Sequence, residues 1–414
     1  MSADAQDMIE TVEIARLGAK GDGIAERGEG EPVYVPFALP GERWSIARNG
    51  AAVRLTESPD RVAEKCRHFG TCGGCVAQHL SDDLYAAWKT ASVREAFAHR
   101  GIDAEVLPVH RIGPGTRRRA ILGIVRRGDK VGIGFREEGQ HTLVDMAECP
   151  ILDPLIVAAL PALREMGRIA MPHDTPGRLI VTRVDAGLDV AYTNGLKMLK
   201  PDERAELARI ASAARVTRLI VAGDPIVVRA EPSITIGGVA IDVPPQIFLQ
   251  AVPEAEQMMI DFVVAALPKK AKKAADLFSG VGTFTLPLAR HVAMTAYDSD
   301  RKAITALEAA HRRATGLKPV EARVRDLFRE PLSPKELEAF DAVVLDPPRA
   351  GAAAQTERLA RSKVPVVVAV SCAPATLARD ARTLIDAGFK MGPVQPIDQF
   401  LWSPHVEAIT VFRR

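Results

Sequence analysis

The stretch Asp276-Leu-Phe-Ser-Gly280-Val-Gly282-Thr-Phe-Thr285 decides the fold. It joins an apolar run at residues 274–277 to a helical pattern at 283–290. Glycines between a strand and a helix let the backbone pass close to a ligand, at the point where an open α/β sheet binds one. The third glycine of a dinucleotide fingerprint is missing, and so is the Gly-Lys-Ser/Thr of a phosphate loop. Asp298 closes the next strand, 292–297, where a carboxylate can take ribose hydroxyls. A nucleoside cofactor is the expectation; a tight turn beside an acidic strand end is the plainer alternative.

Outward from this loop the alternation continues. A helix is predicted over 301–315. Residues 342–345 and 366–370 are wholly apolar, as parallel strands buried on both faces are. A helix over 375–387 follows, then strands near 389–394 and 405–412. From residue 246 on, the pattern is a doubly wound, Rossmann-like α/β domain closed by an antiparallel pair. Residues 8–58 read differently. Short strands at 11–17, 32–36 and 43–48 are punctuated by Gly21, Gly23, Gly28 and Gly30. Five short strands predict a small β-barrel of the oligonucleotide-binding sort, with Lys20, Arg27, Arg43, Arg48 and Arg54 as its basic complement. Between the two lies a mixed α+β segment, with helices at 86–100, 153–167 and 201–214. A length of 414 residues is long for one core, and three domains are expected: 1–62, 63–245 and 246–414.

Hydrophobic residues are 47% and charged residues 26%, as in an ordinary soluble protein. The first ten residues are acidic and lack the apolar core of a secretory signal. The longest apolar run, 364–370, contains Pro365 and is too short to span a bilayer. A cytoplasmic protein is expected, with no membrane and no obligate protein partner. The net charge of +2 is uninformative, but its distribution is not. Arg111, Arg117, Arg118, Arg119, Arg126, Arg127, Lys130 and Arg136 stand against the single acid Asp129. That stripe suits a nucleic-acid backbone, or else the solvated face of a hairpin.

Five cysteines in a chain without a signal argue for metal or catalysis rather than disulfides. They divide into four and one. Cys66-x5-Cys72-x2-Cys75, joined by Gly70, Gly73 and Gly74, can wrap one centre with the distant Cys149. Spacing does not choose between zinc and an iron–sulfur cluster. The fifth, in Ser371-Cys372-Ala-Pro374, follows the strand 366–370, while Asp346-Pro-Pro-Arg349-Ala-Gly351 follows 342–345. Both segments therefore project into the crevice of the glycine loop. A cysteine at a helix N-terminus sits where the dipole favours thiolate. His405-Val-Glu407 offers a base, Glu407 first and His405 second.

These motifs, in this order and spacing, resemble the RNA uracil-5-methyltransferase family, and the N-terminal barrel resembles a TRAM domain. The resemblance covers nearly the whole chain and is weakest across 151–240. It implies S-adenosylmethionine as cofactor and 5-methyluridine in RNA as product. It also implies Cys372 as the nucleophile adding to carbon 6, and Glu407 as the acceptor of the carbon 5 proton. Gln250, Phe278, Gly280, Gly282, Thr283, Asp298, Asp326 and Asp346 fall at cofactor-site positions, Asp346 also near the target base. Phe248 is a stacking candidate for an extruded base, or else a core residue. Relatives that carry Cys-x-x-Phe-Gly-x-Cys-Gly-Gly-Cys hold a [4Fe–4S] cluster, which would make Cys66, Cys72, Cys75 and Cys149 its ligands, with zinc the lesser alternative. Barrel and cysteine cluster together resemble the members that modify 23S ribosomal RNA; tRNA is the alternative substrate. Four positions depart from the family pattern: Asp298 for glutamate, and Thr283, Val252 and Ala373 for asparagine. Rival readings are cytosine-C5 methylation, methylation of an exocyclic nitrogen at Asp-Pro-Pro, and a non-catalytic RNA-binding protein. Arg349 stands where the second would place an aromatic residue.

Overall fold

The computed structural model describes residues 10–27, 30–47 and 49–414. Two three-stranded sheets form the N-terminal barrel. Arg43–Ile46 pairs with Glu10–Glu13 and Ala52–Arg54, and Gly23–Ala25 pairs with Arg16–Leu17 and Val33–Val35. Among the described residues six strands replace the five expected, because the run 11–17 changes sheet midway. Ile14 N–H bonds the Glu42 carbonyl, and Ala15 N–H bonds that of Ile24. Arg48 and Gly28 lie outside the described residues. Val12, Ile14, Ala25, Val35 and Ala38 fill the interior. Gly23 is obligatory there, since a Cβ would stand 2.8 Å from both Ala38 and Ile14.

The central segment builds a six-stranded sheet in the order Asp224–Val228, Val216–Val221, Gly187–Thr193, Gly177–Val184, Arg119–Arg127, Lys130–Gly134. Helices Pro154–Ala158, Leu160–Ala170 and Pro201–Ala213 pack on it over Leu122, Ile124, Leu163, Leu179 and Val190. Not all of 63–245 belongs to this unit. Helix Asp82–Ala98 buries Val93 and Phe97 against the C-terminal sheet, and His110–Arg111 adds the last strand of that sheet. A sequence boundary at 245/246 misses this because the apolar face of a helix does not say which sheet it will cover.

The C-terminal sheet runs Val320–Val324, Ala293–Asp298, Lys273–Leu277, Ala342–Leu345, Val366–Ser371, Glu407–Arg413, Gln395–Asp398, His110–Arg111. The first five strands are parallel, and Glu407–Arg413 is antiparallel to both of its principal neighbours. Alternate residues serve opposite layers: Ala274, Val344 and Val368 join one core, and Ala275, Val343 and Val367 the other. That is why these strands read as unbroken apolar runs. The edge strand Val320–Val324 escapes sequence reading because its half-exposed V-E-A-R-V lacks this signal. The helix expected at 283–290 is regular only over Thr285–Leu288, with Pro287 inside it. Among the described residues no helix is long and apolar enough to cross a membrane.

Candidate active site

The glycine loop leaves Lys273–Leu277 through a left-handed Phe278, φ +65°. Ser279 N–H bonds the Tyr297 carbonyl at 3.0 Å, tying the loop to the neighbouring strand. Gly282, φ +98°, admits no side chain, since a Cβ would meet Leu307 at 2.5 Å. Gly280 N–H donates to Asp298 Oδ2 at 2.9 Å, while Asp298 Oδ1 accepts from Asp300 N–H at 2.7 Å. The shortened carboxylate thus braces the loop. Beneath it Asp276 is fully buried, and burial raises its carboxyl to about 7 although Thr285 donates to it at 2.6 Å. Asp326 caps the following turn through Phe328 N–H at 3.0 Å, and the Phe328 and Phe278 rings lie 5.4 Å apart.

These residues line a cavity of about 870 Å³ that continues past Asp346, Arg349 and Cys372 to Glu407. Ser371 pairs with Ala408 across the antiparallel strands, so Cys372 and Glu407 are brought together by register. Two carboxylates and an amide pair form one chain. Gln250 Nε2 donates to Asp346 Oδ2 at 3.0 Å, and Gln399 Nε2 donates to Gln250 Oε1 at 3.0 Å and to Glu407 Oε1 at 2.8 Å. Gln250 is held in turn by Arg118, which bonds its carbonyl at 3.0 Å and pairs with the buried Glu256 at 2.9 Å.

The expected thiolate is not the resting form. Burial pushes the Cys372 thiol up to about 11, and Glu407 and Asp346 push the same way; only the Arg349 guanidinium opposes them. The helix dipole acts from Pro374–Asp386, two residues on, and is outweighed. Burial also raises Glu407 to about 7, against Gln399 and Arg349. Asp346 is raised well above the carboxylate range by burial and by Glu407. His405 is lowered to about 4 by burial and the nearby cations Arg349, Lys89 and Arg117.

Phe248 is no core residue: it is 66% exposed on the cavity wall. Thr283 lines the cavity, but Val252 lies in the apolar core and Ala373 caps its helix without a side-chain bond. The basic stripe divides. Arg118 is buried in its ion pair, and Arg117 is half-buried near Cys75 and Cys149, 5.9 Å over the Phe400 ring. Arg127 and Lys130 remain on the solvent face.

Cys66, Cys72, Cys75 and Cys149 line the other end of the same cavity. Their sulfurs influence one another, burial pushes Cys75 up to about 12, and Cys72 and Cys149 rise as well. Backbone N–H groups of Gly74, Ile151 and Leu152 point the other way, toward thiolate. Among the described residues no three His, Cys, Asp or Glu side chains are arranged to hold a metal ion as they stand.

Gln399, Phe328 and Arg117 were not singled out as site residues by sequence. A glutamine right after a strand of the C-terminal sheet was the one available signal, in Asp398-Gln399-Phe400.

The tRNA (uracil-5-)-methyltransferase family model matches residues 188–414. An uncharacterized RNA methyltransferase of Caulobacter vibrioides is 44% identical over 97% of this chain and 99% of its own. One of Brucella suis is 45% identical over 97% of both. The chain belongs to the tRNA (uracil-5-)-methyltransferase family. By family and fold it is an S-adenosylmethionine-dependent RNA methyltransferase. The structure of Pyrococcus abyssi tRNA (uracil-54, C5)-methyltransferase, solved with S-adenosyl-L-homocysteine, superposes with a TM-score of 0.75 over 97% of this chain and 99% of that one, at 24% identity. Barrel, central sheet and methyltransferase sheet are thus an architecture shared by this family member.

Proposed function

We propose that the protein methylates carbon 5 of a uridine through a covalent adduct on Cys372. The observation that carries this reading is the facing of Cys372 and Glu407 across paired strands, in one cavity with the glycine loop. Carbon 5 of uracil is a poor nucleophile. Once the Cys372 thiol has given its proton to solvent, attack of its sulfur on carbon 6 forms an S–C bond and moves the ring electrons to carbon 5 and its neighbouring carbonyl. S-adenosylmethionine supplies an electrophilic methyl group. Carbon 5 takes that methyl as the donor's S–CH3 bond breaks and S-adenosylhomocysteine leaves; Glu407 then removes the carbon 5 proton, and the returning electrons expel the Cys372 sulfur. A carboxylate at about 7 is poised to take a proton at neutral pH, whereas His405 at about 4 is a weaker base. This favours Glu407 over His405. Exposed Phe248 at the cavity wall offers a stacking face for the extruded base. Gln250, Phe278, Gly280, Gly282, Thr283, Asp298, Asp326 and Asp346 would hold the cofactor; the Phe278–Phe328 pair suits the flat adenine ring.

Cys66, Cys72, Cys75 and Cys149 would ligate a [4Fe–4S] cluster. The donor chemistry fits: four thiols, mutually coupled, with backbone N–H groups aimed at two of them. A cluster would supply cationic iron that keeps buried thiolates ionised, and its role here would be structural. The three segments 1–62, 63–245 and 246–414 would serve as RNA-binding barrel, cluster domain and catalytic domain, with 82–111 lent to the last. The proposed RNA is 23S ribosomal RNA, processed in the cytoplasm. A tRNA is the second reading, because a tRNA enzyme shares this architecture end to end.

Nucleoside mass spectrometry of 23S RNA and tRNA, incubated with anaerobically purified protein and labelled cofactor, tests the proposal. Labelled 5-methyluridine from 23S RNA, lost in Cys372→Ala, supports it. Label in tRNA alone changes the substrate. Label in methylcytidine or an N-methylated base refutes the chemistry.

A further inference from the structure

Gln399 is 3% exposed and lies in the cavity wall with Cys372, Asp346 and Glu407. Its amide nitrogen has two hydrogens, and both are committed, at 3.0 Å to Gln250 Oε1 and at 2.8 Å to Glu407 Oε1. An amide has no further donor, so the two acceptors fix which way it faces. Gln250 is itself oriented by its bond to Asp346, and with Asp346 and Glu407 ionised both carboxylates can only accept, which sets the sense of the chain. The Gln399 carbonyl oxygen is consequently turned from both partners, and it accepts no hydrogen bond although it is sealed from solvent. A buried carbonyl without a donor bears the full desolvation of that group. Native interiors rarely leave one so, and a ligand is a common explanation. Glu407 Oε2 is in the same state. Two donor-less acceptors, joined through one hydrogen bond, therefore stand together at the catalytic end of the cavity.

We propose that Gln399 reads the imide edge of the target base: its carbonyl oxygen accepts the N3–H of uracil and thereby excludes cytosine. The inference rests on the reading of Cys372 and Glu407 as machinery for pyrimidine carbon 5. Uracil carries a proton at N3, whereas cytosine carries a lone pair there. A cytosine in the same pose sets that lone pair against the Gln399 oxygen. Turning the amide over would break both of its bonds and set its carbonyl against two other oxygens. Sites built around a required donor reject analogues lacking it far more strongly than apolar pockets reject a changed shape. Gln399 is a specificity residue on this account, and Gln250 and Asp346 hold it in register.

The test uses full-length protein, loaded with iron, and an RNA oligonucleotide spanning the nucleotide that the wild type methylates. A second oligonucleotide carries cytidine at that position. The wild type should prefer uridine by about 100-fold or more in kcat/KM. Gln399→Leu loosens Glu407 on either RNA, but it should lose about 10- to 100-fold more on uridine than on cytidine, so that the preference collapses. Gln399→Glu preserves shape, and its protonated form offers cytosine N3 a donor, so the preference should move toward cytidine as the pH falls. Cofactor affinity and melting temperature check that both variants are folded. If the wild type methylates neither oligonucleotide at carbon 5, the reading of the site fails and this one with it. If the wild type prefers uridine and both folded variants keep that preference, while slowing on the two RNAs alike, only the Gln399 assignment fails.

Discussion

Cys75 and Cys372 line the same cavity, are both pushed upward by burial, and differ in what faces them. Around Cys75 stand three further thiols and Gln78, with the Arg117 guanidinium nearby. Around Cys372 stand two carboxyl groups and Arg349. The groups that shift Cys75 include no carboxyl and no cation, and they offer several equivalent sulfurs. The second surroundings have one sulfur, a carboxyl that titrates near neutrality and a cation that favours ionising the thiol. A buried thiol takes its chemistry from these neighbours, since burial alone would leave both inert.

The largest expected effects separate the two sulfurs. Cys372→Ala should lower single-turnover methyl transfer by about 10⁴-fold or more, with iron and sulfide content and melting temperature unchanged. Cys75→Ser should do the reverse, losing iron, sulfide and stability; a Cys75 variant that keeps its iron yet loses methyl transfer would collapse the distinction. Glu407→Gln comes next, slowing turnover by about 10²- to 10⁴-fold. Its adduct with RNA should persist on a denaturing gel, because the sulfur cannot leave until the carbon 5 proton does.

Smaller effects concern charge. Arg349 is the cation that lowers both Cys372 and Glu407. Arg349→Met should cut the rate near neutrality by about tenfold, with partial recovery at alkaline pH. In the wild type, activity should climb as pH rises through about 7, reporting the Asp346–Glu407 pair as a unit. Stability runs oppositely. The folded Glu407 holds its proton more tightly than an unfolded one, so its contribution is present in acid and is lost as pH rises through about 7. A rate flat across this window, measured with saturating RNA, would remove Glu407 as the base. The smallest effect is at the solvent face of the stripe. Arg127→Ala or Lys130→Ala should weaken RNA binding about twofold and lower the salt slope by roughly 1, with kcat unchanged.

Much of the site was legible because its chemistry is local in sequence. The strand ends at Leu277, Leu345 and Ser371 announce which loops meet the crevice, and the glycines, Asp346 and Cys372 sit on those loops. The four-and-one division of the cysteines needed only counting. Other readings failed where the deciding partner is distant in the chain. Arg118 looked like one more cation of a stripe until Glu256, 138 residues away, claimed it. Phe248 carried no mark distinguishing a core ring from an exposed one. Cys372 was expected as thiolate from its helix, a local cue, but burial reversed the balance, with Glu407 and Asp346 from elsewhere in the sheet adding to it.

By itself the sequence determined the doubly wound sheet, the glycine loop at its crevice, and the division of the thiols, because strand period, turn glycines and side-chain type are properties of short segments. Only the tertiary structure decided the protonation of those thiols, the loan of helix Asp82–Ala98 to the catalytic sheet, and the hydrogen-bonded line from Asp346 to Glu407. Each of these depends on burial and on partners remote in the chain, and desolvation and register exist only once the layers have packed.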